Sequence, residues 1–276
     1  MISKAALVAL LNRRLRRFDI ALLRPSEQWR MTGQLGRQPV PPPPPVPARP
    51  PLLRQFGPAR AGFDMAVVMP SLLRPSIAQA LASVFAQDFP GTVQTLIGID
   101  VPEGDMAPVE AACRDRPDNH TVLLFDPGYS TSVRHGGLHP AWDGGVLRVV
   151  LSYLAASRHV AYLDDDNWWA PCHLSALHQA LAGHDYAWSG RIAVDRQTRA
   201  IGAPMPDEGF IDPNCLGLDK LTCEAVLRWW GLPKRDSRSA IDADRNVSRL
   251  LGAWFRGRAS GEASVFYAVR APLPPL

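Results

Sequence analysis

Four short apolar runs, Met65–Met69, Val93–Ile99, Thr121–Phe125 and His159–Leu163, recur along the chain with segments of helical period between them. Runs of this length, rich in Val, Ile and Leu and closed by turn residues, suit strands buried on both faces. The intervening segments agree with that reading. Pro75–Gln87 places proline in a first turn and Ile77, Leu81, Val84 and Phe85 on one helical face, and Gly145–Ala156 has the pattern of a second helix. Strand and helix in alternation predict an α/β fold with a mostly parallel central sheet flanked by helices. Such sheets bind ligands beyond the carboxyl ends of their strands.

Three of the four runs stop at an aspartate: Asp100, Asp126 and Asp164. One such residue is an ordinary cap or turn former, whereas several meeting at one sheet edge predict a polar site. The last run is the most informative, because it ends in Asp164-Asp165-Asp166-Asn167. If strand geometry continues to its end, Asp164 and Asp166 face one side and Asp165 the other. Adjacent carboxylates repel and need a cation or hydrogen-bond donors as compensation. A divalent metal meets that need, and an all-oxygen donor set favours Mg2+ or Mn2+, completed by substrate phosphates, over zinc. The competing reading is a solvated turn or helix cap before Trp168. His173 and His178 are five apart and do not share a helical face, so they offer no rival site.

Charge divides the chain after Gly62. Residues 1–62 carry 11 Lys/Arg against two Asp/Glu, a net +9, and the remaining 19 and 24 leave residues 63–276 at −5. The basic average therefore belongs to the front end, and the body is not expected to bind nucleic acid. Nine of the thirteen residues from Pro39 to Pro51 are proline, a composition for an extended spacer or an SH3-type ligand. The organisation expected is a basic N-terminal helical segment over 1–38, a Pro-rich linker over 39–62 and a folded domain over 63–276. Within the first segment, Ile2–Leu23 combines leucines with Arg13, Arg14, Arg16 and Arg17, which suits peripheral contact with an anionic membrane or docking on a protein. No apolar run approaches the roughly 20 residues of a bilayer span, and Ala5–Leu11 leads into Asn12-Arg13-Arg14 without a cleavage pattern. The expected location is cytoplasmic, with or without peripheral attachment to the cytoplasmic membrane face. Cys113, Cys172, Cys215 and Cys223 are too irregularly spaced for a zinc site or disulfide framework and read as reduced thiols.

From Val67 to about Leu251 the sequence resembles family 2 glycosyltransferases of the GT-A fold. Val67-Val-Met-Pro-Ser71 followed by Arg74-Pro75 is similar to the family's first strand and nucleotide-binding turn, and Leu96-Ile-Gly-Ile-Asp100 to its second strand. Arg148 lies 16 residues before Asp164, the family's separation between its arginine and its metal motif, and Leu163-Asp-Asp-Asp-Asn167 resembles the Asp-x-Asp motif itself. Gly209-Phe-Ile-Asp-Pro-Asn-Cys-Leu216 resembles the acceptor-side strand, and Asp242-Ala-Asp-Arg245, with a helix over Val247–Trp254, resembles the late acidic motif. Val149 and Val101-Pro102 depart from the family pattern.

The resemblance implies a metal-dependent inverting transferase that moves a sugar from a UDP-, GDP- or dTDP-sugar to a saccharide or lipid-linked acceptor, in cell-surface polysaccharide or lipopolysaccharide synthesis. It implies a base pocket at Pro70, Ser71 and Asp100, and Arg148 holding carboxylates or diphosphate. Asp166 would bind Mn2+ or Mg2+, Asp164 and Asp165 would divide metal support and ribose contact, and Asp244, or else Asp242, would act as base. Trp168-Trp169 and Trp229-Trp230 suit either ring stacking on sugars or core packing. A non-catalytic GT-A-like scaffold and a Mg2+-dependent nucleotidyltransferase are the other readings. The absence of a Gly-x-x-x-x-Gly-Lys-Ser/Thr loop counts against the second.

Overall fold

The computed structural model describes residues 7, 10–12, 49–137, 139, 141, 144–195, 198–201, 204, 210–232 and 243–269. The N-terminal helix expected over Ile2–Leu23 falls outside these residues, apart from helical Leu7 and Leu10–Asn12; so do prolines 39–47, Gly209 and Asp242. In chain order the elements are β1 (Leu52–Phe56), β2 (Met65–Ser71), α1 (Ile77–Phe85), β3 (Val93–Ile99), α2 (Ala107–Arg114), β4 (His120–Asp126), α3 (Gly145–Leu154) and β5 (His159–Tyr162). There follow β6 (Trp168–Trp169), α4 (His173–Leu181), β7 (Tyr186–Val194), β8 (Leu216–Asp219), α5 (Glu224–Leu227), α6 (Ala243–Trp254) and β9 (Gly257–Ala268).

The four apolar runs become β2, β3, β4 and β5, which lie side by side in parallel in the order β4-β3-β2-β5. Every residue of β2 and β3 is buried, because these strands are internal to the sheet and α3 packs on both of them. Burial on two faces is the reason these segments carry apolar residues almost without interruption. Gly144 starts α3 at φ 72°, where a Cβ would also come within 2.6 Å of Pro70, so glycine lets the helix close onto the end of β2.

Beyond β5 the sheet continues as β8-β7-β9-β6, antiparallel at β5–β8, β8–β7 and β9–β6 and parallel at β7–β9. The segment read as linker also contributes structure: Leu52–Phe56, inside 39–62, forms β1 and pairs antiparallel with β4. An edge strand has one partner and one row of exposed side chains, so it needs no apolar signature; Leu53 is 68% exposed and Arg54 stands beside it. The main core runs through Val68, Leu96, Ile97, Leu151, Tyr162, Leu177, Leu218, Trp230 and Leu251. Among the described residues, no helix is long and apolar enough to cross a membrane.

Candidate active site

At the carboxyl ends of the parallel strands a cleft of about 670 Å3 is lined by Pro70, Ser71, Leu72 and Arg74 after β2, Asp100 after β3, and Leu147 and Arg148 of α3. Asp164–Asn167 after β5, Asp244 of α6 and Tyr267–Val269 at the end of β9 also line it, with Glu103, His135 and Gly144. Pro70, Ser71, Asp100, Arg148, Asp164, Asp165, Asp166 and Asp244, all singled out in the sequence, therefore meet in one cavity.

The aspartate triplet does not keep strand alternation, because β5 ends at Tyr162. Each carboxylate turns to a different neighbour. Asp165 is 2% exposed; its Oδ2 accepts from Ser71 Oγ at 2.8 Å and from the Leu72 N–H at 3.0 Å, and Arg74 Nη1 lies 3.1 Å from its Oδ1. Burial pushes its carboxyl above the usual range, against the pull of the Ser71 hydroxyl and the Arg74 guanidinium. Asp166 pairs with Arg74 Nη1 at 2.9 Å and accepts from Asn167 Nδ2 at 3.1 Å. Asp164 pairs with Arg148, a buried guanidinium that lies 5.7 Å from the Trp230 ring centroid. Arginine thus supplies much of the compensation the sequence assigned to a metal.

A second layer, not read from the sequence, holds the triplet in place. Asn214, 1% exposed, accepts the Asp164 N–H at 2.6 Å through Oδ1 and donates through Nδ2 to Asp164 Oδ2 at 3.1 Å and Asp212 Oδ1 at 2.7 Å. Asp212 is buried, takes Arg191 Nη1 at 2.8 Å, and has its carboxyl pushed up, chiefly by burial. The guanidinium of Arg191 in turn lies 5.3 Å from the Tyr267 ring centroid. Asp212-Pro-Asn214 could have been read as a capped turn, and Asp212 does accept the Asn214 N–H at 3.0 Å ahead of the 3-10 turn Pro213–Cys215. Its target, Asp164, is 50 residues away and has no local signature. The segment resembling an acceptor-side strand thus supplies this turn before entering β8.

Asp100 is tied down on three sides. Its N–H donates to the Ser71 carbonyl at 3.0 Å, its Oδ1 accepts the Thr131 N–H at 2.8 Å, and its carbonyl accepts from Arg49 Nη2 at 3.1 Å. Asp126 does not line the cleft; it caps its own loop through the Gly128 N–H at 2.7 Å and pairs with Arg49 at 3.1 Å. Asp244 sits in the first turn of α6, which starts at Ala243 and so takes in Asp244 and Arg245 of the acidic motif. The tryptophan pairs are packing residues. Trp169 stacks on His173 at 4.2 Å, Trp168 on Phe266 at 5.6 Å, and Trp229 and Trp230 are buried. No tryptophan is among the described residues that line the cleft.

Among the described residues no group of three or more His, Cys, Asp or Glu side chains is arranged to hold a metal ion. Asp164 and Asp166 nevertheless offer carboxylate oxygens at the cleft wall, with side chains 30% and 20% exposed. That donor set fits a hard cation of the Mg2+ or Mn2+ kind, which binds through one or two carboxylates and takes its remaining ligands from water and substrate phosphates.

No family model and no curated protein matches the sequence. Solved structures do. TarS 1–349 from S. aureus superposes with a TM-score of 0.54 at 14% identity over 74% of this chain and 60% of that one. Its complex with UDP-GlcNAc gives 0.54 at 15% identity over 76% and 60%. The mannosyltransferase PcManGT from Pyrobaculum calidifontis, in complex with GDP-Man and Mn2+, gives 0.50 at 13% identity over 97% and 69%. The chain thus spans about 60% of the length of TarS 1–349. Its mixed α/β architecture, a large sheet flanked by helices with a cleft at the strand ends, is the GT-A-type fold that these glycosyltransferases share.

Proposed function

We propose that the chain is a nucleotide-sugar-dependent glycosyltransferase. The observation that carries this reading is the convergence of Asp100, the Asp164–Asp166 triplet, Arg148 and Asp244, from separate elements, on one cleft at the carboxyl ends of parallel strands. Two neighbours of the same fold hold UDP-GlcNAc and GDP-Man, which supports a nucleoside diphosphate-sugar as donor.

In this reading Pro70, Ser71 and Asp100 receive the nucleotide base. Asp165 keeps that pocket in shape by accepting from Ser71 and Leu72, so it acts on the nucleotide through the turn it holds. Asp164 and Asp166 would hold Mn2+ or Mg2+, and the presence of Mn2+ in the PcManGT complex supports the choice of ion. When bound, such an ion neutralises charge on a departing diphosphate. Arg148, paired with Asp164, holds that carboxylate in position. Asp244 removes the proton from the acceptor hydroxyl as its oxygen bonds to the anomeric carbon, while the nucleoside diphosphate leaves with the electron pair of the broken C–O bond. Attack opposite the leaving group inverts the anomeric centre. A saccharide or lipid-linked acceptor of a cell-surface polysaccharide or lipopolysaccharide fits this chemistry.

The test is release of nucleoside diphosphate from UDP-, GDP- and dTDP-sugars with Mn2+. The proposal expects turnover on at least one donor and its loss in Asp166→Ala. Nucleotide binding without turnover on any donor or acceptor would leave a non-catalytic scaffold instead.

A further inference from the structure

The loop after β2 carries an arginine whose placement the fold secures with care. Arg74 Nη1 bridges Asp165 Oδ1 at 3.1 Å and Asp166 Oδ2 at 2.9 Å, and its side chain lines the cleft at 28% exposure. What aims it there is Leu73, which is buried and has φ 57°. A left-handed conformation is costly for a leucine and persists only where neighbours enforce it. Ser71 Oγ accepts the Leu73 N–H at 2.8 Å while donating to Asp165, and the Leu72 carbonyl accepts the Glu103 N–H at 2.6 Å. A Cβ at position 104 would strike the Leu73 carbonyl, so Gly104 leaves the turn its room. The reversal folds the chain back so that Arg74 returns over the carboxylates.

Among the described residues the three carboxylates of the triplet are met by the guanidiniums of Arg148, on Asp164, and Arg74, on the other two. We infer that Arg74 is a tethered counter-cation that competes with a divalent metal ion for Asp166 and passes to the diphosphate when the donor binds. A bare divalent ion reaching Asp166 meets a carboxylate already engaged by Arg74 and lies beside that cation, whether it shares the oxygen or displaces the guanidinium. A nucleoside diphosphate removes that conflict, because its phosphate oxygens accept the guanidinium fork. Metal and nucleotide affinities are then coupled, each raising the other by the same factor. The inference rests on the donor reading above and adds an order to it: the ion binds weakly alone and tightly with the nucleotide.

The experiment measures Mn2+ binding from the EPR signal of the free ion, with and without UDP and GDP, in the full chain. Arg74→Gln should bind Mn2+ alone about tenfold more tightly than the unaltered protein, equivalent to about 1.4 kcal/mol. Nucleoside diphosphate should tighten Mn2+ binding at least tenfold in the unaltered protein and much less in Arg74→Gln. Arg74→Lys keeps the charge without the fork and should fall between them; it carries the comparison if Arg74→Gln does not fold. Adding Asp166→Asn to Arg74→Gln should abolish the gained affinity. Equal Mn2+ affinity in the unaltered protein and both Arg74 variants overturns the role of Arg74 and leaves the donor reading standing. Failure of every variant to bind Mn2+ with any nucleoside diphosphate overturns the inference together with the metal.

Discussion

Replacing Asn214 by alanine removes three hydrogen bonds at once: one from the Asp164 backbone amide at 2.6 Å and two to carboxylates, Asp164 at 3.1 Å and Asp212 at 2.7 Å. Bonds to charged groups contribute about 1.5–3 kcal/mol and neutral ones about 1 kcal/mol. The lower end applies, since Asp164 keeps Arg148, and Asp212 keeps Arg191 and the backbone N–H of residue 214. The expected loss is about 3 kcal/mol, because Asn214 and Asp212 are 1% and 5% exposed and water does not replace the bond to Asp212, whereas Asp164, with its side chain 30% exposed, regains part of its hydration. For a domain of this size each kcal/mol lowers Tm by about 2–4 °C, so the melt should fall by about 10 °C. Urea unfolding followed by tryptophan fluorescence measures the stability, and calorimetry with UDP or GDP measures the site. Asn214→Ala should bind nucleotide alone almost normally, because the pocket around Asp100 is untouched, and should lose most of the Mn2+-dependent gain. A stability change below about 1 kcal/mol with an unchanged Mn2+ effect would refute the claim that Asn214 fixes the triplet.

Burial pushes His173 down to about 3, and burial with Arg116 pushes His120 down to about 4. Both lie below the unfolded value of about 6.5, so their contribution is complete above that pH and is lost on acidification, by about 2 kcal/mol each at pH 5. The raised carboxyls of Asp165 and Asp212 act in the opposite sense and offset part of the loss at still lower pH. Urea midpoints measured from pH 7 to 5 should show the fall, and His173→Gln should roughly halve it. The N-terminal boundary gives another test. Deleting residues 1–48 should leave turnover intact and, if the basic segment binds membrane, abolish sedimentation with anionic vesicles. Deleting residues 1–56 also removes β1 and Arg49, which holds the Asp100 carbonyl, and should raise the donor KM severalfold.

What could be read from the sequence follows burial. β2 and β3 are enclosed on both faces, so their composition alone marks them, and their ends locate the cleft. β1 and β9 are edge or half-exposed strands; β9 runs through Gly257-Arg-Ala-Ser-Gly-Glu262 before any apolar residue larger than alanine, and it gave no strand signal. The carboxylates were legible because they follow apolar runs directly. Their partners were not. The reach of Arg74 depends on a left-handed leucine, and that of Asn214 on a turn brought in by a long-range antiparallel pairing between β8 and β5. Neither is encoded in local propensity.

The most direct measurement is a crystal of the protein soaked with UDP or GDP and Mn2+. Nucleotide density is expected between Pro70 and Asp100, with an anomalous Mn2+ peak between the diphosphate and Asp166. Nucleotide bound elsewhere, or a cleft unchanged at saturating concentrations of both, would contradict that expectation.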